Sequence, residues 1–202
     1  LVSSGPLIVV TLGLLVLAYV WLKPNPPKRV VLATGTEQSA YDRFGQAYAR
    51  ALARHGITVE LRASEGAADN LRLLREGEVD LGFVQGGSGG IVEDDREALL
   101  SLGSLFVEPL WLFYREDAAQ RLRPGLGPVT LLTELKGWRV NVGTAGSGVP
   151  QLFDRLLQAN GMKRVALRLS QLEQTPATVA FLAGRIDALV FVSAPEAMMV
   201  QM

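Results

Sequence analysis

Two stretches of this chain, 107 to 108 residues apart, read as imperfect copies of one device, and any fold must accommodate both. In the first, the apolar run Arg29 to Ala33 is closed by Gly35-Thr36-Glu37-Gln38-Ser39, and Leu74-Arg75-Glu76-Gly77-Glu78-Val79-Asp80-Leu81-Gly82-Phe83-Val84 follows. In the second, Trp138 to Val142 is closed by Gly143-Thr144-Ala145-Gly146-Ser147, and Leu182-Ala183-Gly184-Arg185-Ile186-Asp187-Ala188-Leu189-Val190-Phe191-Val192 follows. The offset is 108 for Gly35/Gly143, Thr36/Thr144 and Ser39/Ser147, and 107 for Gly77/Gly184 and Asp80/Asp187. Each copy predicts strand, Gly/Ser/Thr loop, helix, strand, second helix and a Gly-x-x-Asp turn into a buried strand, which is a pair of crossover units. The expectation is two similar α/β lobes facing each other across a ligand. Shared architecture without duplication would give the same order of elements.

Ahead of the first copy, Leu7 to Leu22 contains no charged residue and ends in Tyr19 and Trp21, followed by Lys23. With Val2 to Pro6 it is long enough to cross hydrocarbon. It is apolar on every face, which argues against a half-buried core helix, and it meets Pro24-Asn25-Pro26-Pro27, a stiff linker. No small-x-small cleavage site follows, so an uncleaved anchor is expected over a removed signal peptide. Lys23, Lys28 and Arg29 after the span would by charge alone place the following chain in the cytoplasm. The chain opens at Leu1 without methionine, however, and the flank that would decide the count is expected to be missing.

The remaining elements read in order. A helix from about Ala40 to His55 carries Tyr41, Phe44, Tyr48, Ala51 and Leu52 on one face. A strand at 57 to 62, the turn Ser64-Glu65-Gly66 and a helix from Ala67 to Glu76 lead to a buried strand from Asp80 to Gln85, which ends in Gly86-Gly87-Ser88-Gly89-Gly90, a flexible loop. The apolar stretch Leu99 to Tyr114 contains Glu108-Pro109-Leu110-Trp111-Leu112-Phe113-Tyr114, expected to cross into the second lobe. There a short helix ends at Gly137, a helix opens at Gly146 to Pro150 and stops at Gly161, and strands are predicted at 165 to 169 and 186 to 192. The boundaries expected are 1–28 for the transmembrane anchor and linker, 29–112 for lobe 1 and 113–202 for lobe 2.

Charge and composition exclude several functions. Lys plus Arg equals Asp plus Glu at 20 each, so no basic field exists to attract nucleic acid. The absence of cysteine removes disulfides, thiolate nucleophiles and thiolate metal sites, and one histidine rules out a histidine-rich metal cluster. No cofactor is expected.

The two Gly/Ser/Thr loops each feed a helix start, where unpaired N–H groups, the helix dipole and hydroxyls form a ready anion site. Neither has the spacing of a nucleotide-binding loop. Plain helix capping by Ser39, Ser147 or Thr175 would account for the same residues.

These residues also carry a family resemblance. From about Val30 to Met202 the chain resembles the solute-binding receptors of TRAP-type transporters of the TAXI subgroup, whose fold is similar to type II periplasmic binding proteins. The resemblance rests on Leu71-Arg72-Leu73-Leu74-Arg75-Glu76-Gly77-Glu78-Val79-Asp80-Leu81-Gly82-Phe83-Val84-Gln85, on Glu108-Pro109-Leu110, and above all on Leu135-Lys136-Gly137-Trp138-Arg139-Val140-Asn141-Val142-Gly143-Thr144-Ala145-Gly146-Ser147-Gly148. It implies a two-lobed α/β fold with the soluble part outside the cytoplasm; soluble members of the family lose their hydrophobic segment, so the one transmembrane helix read at Leu7 to Leu22 suggests a tethered receptor. The resemblance also implies capture of a small organic anion, of the amino-acid or dicarboxylate class, for delivery to TRAP permease membrane subunits. The ligand positions it implies are Gly35, Thr36 and Tyr41 in the first loop, Gln85 after the first buried strand, and Thr144, Gly146, Ser147 and Gly148 in the second loop; Ser39, as a loop hydroxyl, completes the candidate ligand set. The first loop departs from the family in Glu37-Gln38-Ser39-Ala40-Tyr41, and a carboxylate at Glu37 facing the cleft would repel an acidic ligand. Trp111 stands where the family commonly has a smaller side chain or histidine. Such receptors return from the second lobe to the first through crossing strands, so the C-terminal return segment is expected to be missing.

Asp80 and Asp187 read first as structural turn residues, His55 as a helix-end charge, and Trp111 and Trp138 as core. Arg62 and Arg115 are the candidate carboxylate clamps. Three functions fit this pattern: a binding receptor, a ligand-sensing domain of a larger membrane signalling protein, and an enzyme on the same fold. The last needs a poised acid, base or nucleophile, and no such constellation is legible. The receptor is the reading expected.

Overall fold

The computed structural model describes residues 5–22, 27–87 and 98–195. Most of the Pro-rich linker, the expected glycine loop beyond Gly87 and the last seven positions lie outside the described residues. Helix α1, Gly5–Leu22, has a mean hydropathy of 2.3 and no buried residue. By length and composition it can cross a membrane.

The first lobe is a three-stranded parallel sheet in the order β2-β1-β3, built from β1 (Arg29–Ala33), β2 (Thr58–Arg62) and β3 (Leu81–Gly82). Helix α2 (Ala40–Ala53) connects β1 to β2, and α3 (Ala67–Arg75) connects β2 to β3. Strand alternation sends Leu32 to one face, with Tyr41, Ala67 and Phe83. Val31 and Ala33 go to the other, with Leu73 and Val79. The apolar stripe expected on α2 divides: Tyr41 is buried, whereas Phe44 and Tyr48 remain partly exposed at its edge. There Phe44 stacks on Phe106 with centroids 4.2 Å apart. The buried strand expected over 80 to 85 is only two residues long in β3, although the Phe83 N–H still reaches the Ala33 carbonyl at 3.3 Å.

The second lobe has four strands in the order β4-β7-β5-β6. These are β4 (Leu110–Tyr114), β5 (Arg139–Asn141), β6 (Arg168–Ser170) and β7 (Ala188–Val192). Helix α4 (Glu116–Leu122) follows β4, α5 (Val149–Ala159) links β5 to β6, and α6 (Gln174–Leu182) links β6 to β7. Trp138, Phe153, Leu135 and Leu157 are almost fully buried in the main core, under Val140 of β5 and Val190 of β7. Leu189 turns to the opposite face, against Ala177, Ala180 and Ile186.

Without β4, the second sheet reads β6-β5-β7, which is β2-β1-β3 repeated. The correspondence extends to single atoms. Asp80 accepts the Val31 N–H at 2.7 Å through its carboxylate, and its own N–H donates to the Val31 carbonyl at 3.0 Å. Asp187 does the same with Arg139, at 2.9 Å and 2.8 Å. In each lobe the Gly-x-x-Asp turn therefore pins the last strand to the first, in the structural role expected of both aspartates.

Strand β4 is the addition. All five of its residues pair antiparallel with β7, from Leu110 with Val192 to Tyr114 with Ala188. The expected lobe boundary between 112 and 113 falls inside this strand, so the chain has reached the second sheet by Leu110. Apolar patterning could not show this, because a continuous apolar run fits a crossing segment and an edge strand equally well.

Candidate functional site

Both Gly/Ser/Thr loops leave the carboxyl ends of the first strands, the edge where open parallel sheets bind ligands. The Thr34 N–H bonds the Arg62 carbonyl at 2.9 Å and the Val142 N–H bonds that of Ser170 at 3.0 Å, which fixes both exits. Each loop then closes through one short bond, Ser39 N–H to the Thr36 carbonyl at 3.1 Å and Ser147 N–H to that of Thr144 at 3.2 Å. The glycines heading the loops sit in tight quarters: a β-carbon at Gly35 or Gly143 would lie 3.0 Å from the hydroxyl of Ser39 or Ser147, which would have to shift. Gly143 also has φ 75°, where a side chain is strained.

The serines cap, but in different ways. The Ser39 hydroxyl oxygen accepts the Asp42 N–H at 3.2 Å and so caps α2. The Ser147 hydroxyl donates to the Thr144 carbonyl at 2.7 Å and accepts the Val149 N–H at 3.3 Å. Gln38 holds φ 64°, a left-handed conformation uncommon outside glycine, and its N–H donates to Asp42 at 3.0 Å.

The loops of the two lobes meet. The Gly146 N–H donates to the Glu65 carboxylate at 3.1 Å, linking the turn after β2 to the second loop. Gly66 comes so close that a β-carbon on it would lie 2.9 Å from Ser147 Cα. Beside this contact lies a cleft of about 150 Å³, small enough to suit a compact metabolite. Seven of the nine expected ligand positions line it: Gly35, Thr36, Ser39, Tyr41, Gln85, Thr144 and Ser147. The two others do not. Gly146 faces Glu65, and Gly148, at φ 83°, forms the left-handed turn into α5.

Three carboxylates line the cleft that were not among the expected ligand positions: Glu65, Glu108 and Glu173. The Tyr41 hydroxyl donates to Glu108 at 2.7 Å. Burial pushes the Glu108 carboxyl above its ordinary value, opposed by that hydrogen bond. Burial, reinforced by the Glu108 charge, pushes the Tyr41 hydroxyl far up, so it stays a donor. Glu37, the carboxylate of concern in the sequence, is exposed and outside the lining. Glu65 had a readable signal, because the turn after the second strand of a parallel sheet lies on the binding edge. Glu108 was singled out in sequence only as part of the Glu108-Pro109-Leu110 match, and nothing in that apolar surrounding showed that its carboxylate enters the cleft.

Neither candidate clamp reaches the cleft. Arg62 pairs with Glu78, and Arg115 donates to the Phe181 and Leu182 carbonyls at 2.8 Å and 3.0 Å and to Asp117 at 2.9 Å. Trp138 is core, while half-buried Trp111 donates its indole N–H to the Ser193 carbonyl at 3.1 Å. Among the described residues no cluster of three His, Asp or Glu side chains could hold a metal.

A sequence profile of the NMT1-like family matches residues 32–202. No curated protein matches the chain in sequence. Among solved structures, the periplasmic aliphatic sulphonate-binding protein SsuA from Escherichia coli is similar, with a TM-score of 0.51 at 20% identity over 83% of this chain and 52% of that one. The GluR0 ligand-binding core from Nostoc punctiforme, in complex with L-glutamate, gives 0.53 at 19% identity over 81% and 69%. A substrate-binding protein of an ABC uptake transporter from Streptococcus pneumoniae, with bound histidine, gives 0.53 at 16% identity over 82% and 66%. The chain thus spans about half the length of SsuA. At these identities the likeness is one of fold, and the fold is that of periplasmic binding proteins.

Proposed function

This chain belongs to the NMT1-like family, and from that premise we infer that it is an extracytoplasmic solute-binding receptor, held at the membrane by α1. The observation that carries this reading is the cleft itself. Two loops of matching construction, at equivalent strand ends of two matching lobes, face each other across a cavity of about 150 Å³. Closure of two lobes around a solute is the motion such an arrangement supports.

The solute is a small organic molecule with a carboxylate, and among the expected amino acids and dicarboxylates the amino acids fit the lining better. The hydroxyls of Thr36 and Thr144 line the cleft with no protein partner among the described residues, and both can donate to a carboxylate. The Ser39 hydroxyl, which accepts from Asp42 N–H, still has its proton to give. The resemblance to TAXI receptors in Leu135 to Gly148 supports a TRAP-type permease as the partner that receives the solute.

The test is thermal unfolding of the full chain in detergent against a panel of amino acids, dicarboxylates and 2-oxo acids. A ligand at a hundredfold over its Kd stabilises by about 2.7 kcal/mol, which raises Tm by roughly 5–10 °C for a domain of this size. A ligand recovered chemically unchanged establishes a receptor. Turnover of a panel member, or no shift with any, refutes it.

A further inference from the structure

We propose that the cleft selects solutes carrying an ammonium or similar cationic group and no net negative charge, with Glu108 as the residue that holds the cation, and that it rejects dicarboxylates and acidic amino acids. This rests on the receptor reading above and narrows its ligand class.

Two independent features of the cleft carry the proposal. The first is its charge. Glu65, Glu108 and Glu173 line it, and among the described residues no Lys, Arg or His does. None of the three pairs with a basic side chain among the described residues. A solute with two carboxylates would bring like charge into a partly dehydrated space with no counter-charge, and a cation supplies what is lacking.

The second feature is the state of the donors. An anion at the second loop would need N–H and O–H groups free to turn towards it. The Gly146 N–H is held by Glu65, the Ser147 N–H and hydroxyl both go to the Thr144 carbonyl, and the Val149 N–H goes to the Ser147 oxygen. At the first loop, the Gln38 and Ser39 N–H groups go to Asp42 and the Thr36 carbonyl. Glu65 thus stands as an internal carboxylate where a second carboxylate of the solute would bind. Among the loop hydroxyls, those of Thr36, Ser39 and Thr144 still have a proton to give, enough for one α-carboxylate.

Glu108 suits the cation. The Tyr41 hydroxyl orients it with a single bond at 2.7 Å, leaving acceptor capacity on the carboxylate. Tyr41 and Phe191 are also among the lining residues, and an aromatic side chain beside a carboxylate favours an ammonium. Burial without a counter-ion disfavours the charged carboxylate, and a bound cation relieves that cost.

The experiment compares matched pairs on the full chain in detergent by calorimetric titration: L-glutamine with L-glutamate, L-ornithine with glutarate, and L-glutamate with 2-oxoglutarate. The glutamine or ornithine member is expected to bind at least about tenfold tighter than its acidic counterpart, and 2-oxoglutarate not at all. Glu108→Gln keeps an acceptor for Tyr41 and the side-chain shape, so it should fold with an unchanged unliganded Tm while losing affinity for the amine by on the order of tenfold or more. Glutarate or 2-oxoglutarate binding as tightly as the amines overturns the proposal and leaves the receptor reading standing. Unchanged amine affinity in folded Glu108→Gln overturns the role of Glu108. Binding by no member of the panel, with Glu173→Gln and Glu108→Gln equally silent, overturns the proposal and the receptor reading together.

Discussion

The Glu65 carboxylate accepts the Gly146 N–H at 3.1 Å across 81 residues of chain, and it is a hydrogen bond that joins the two lobes at the mouth of the cleft. It lies beside a close backbone approach between the lobes, Gly66 against Ser147. At this point the lobes are held by one carboxylate and by the close approach of a residue without a side chain.

Glu65→Ala should open the unliganded molecule. It removes the interlobe acceptor and touches neither core, so Tm should fall by no more than about 1 kcal/mol in equivalent stability. Gly66→Ala should act more strongly, because its φ of 132° strains any side chain and the new β-carbon meets Ser147 Cα at 2.9 Å. Small-angle scattering should show a larger radius of gyration for both, and an unchanged radius in Gly66→Ala would show that the lobes do not close there.

Ser147→Leu should abolish solute binding with the fold retained. The change removes the hydroxyl that closes the second loop on Thr144 and Val149, and places a bulky apolar group at the cleft wall. Circular dichroism should match the parent, while titration should show affinity lower by about a hundredfold. Undiminished affinity would take the second loop out of the site.

Asp187 should be the most costly carboxylate to lose. It is 2% exposed, accepts the Arg139 N–H and guanidinium, and pairs with Arg121 at 2.7 Å. Removing it leaves a strand-end N–H without its acceptor and two half-exposed arginines without their carboxylate, so Asp187→Ala should cost about 1–3 kcal/mol in denaturant unfolding.

The same residue sets an acid limit. Burial raises the Asp187 carboxyl, but the bonds from Arg139 outweigh burial and hold it below its ordinary value. A group depressed in the folded state contributes stability above its unfolded pKa, about 3.9, and loses it as pH falls through the folded value. The stability gap between parent and Asp187→Asn should therefore be full at neutral pH and shrink in strong acid. A gap that widened on acidification would contradict the shift.

Removal of residues 1 to 26 should leave the α/β body intact, because α1 buries no residue against it and the Lys28 carbonyl that accepts the Thr58 N–H is kept. Tm should move by less than the equivalent of about 0.5 kcal/mol, while flotation with vesicles should be lost. A large fall in Tm would show that α1 packs on the lobes.

Much of this molecule was legible because its determinants are local. The strand at 29 to 33, the helix from Ala40 and the helix closed by Gly161 follow from periodicity and stop residues a few positions apart. The doubled Gly-x-x-Asp turn was visible as spacing, and both aspartates grip their first strands in the same way. β4 was harder to read: its five residues are apolar without alternation, and only pairing with β7 makes them an edge strand of the second sheet. The arginines proposed as clamps failed for a related reason. Nothing near Arg62 in sequence shows that Glu78, on a neighbouring turn, takes its charge.

The order of elements, the apolar first helix and the two matching loops were determined by the sequence alone, since each depends on residues within one or two turns of each other. The sign of the cleft was decided only in three dimensions. Glu65, Glu108 and Glu173 come from three separate connections, and the cations that balance them in net charge lie elsewhere, as Arg121 and Arg139 on Asp187 show. A chain with equal numbers of acidic and basic residues is neutral as a composition, but which charges share a small space depends on how the lobes are placed.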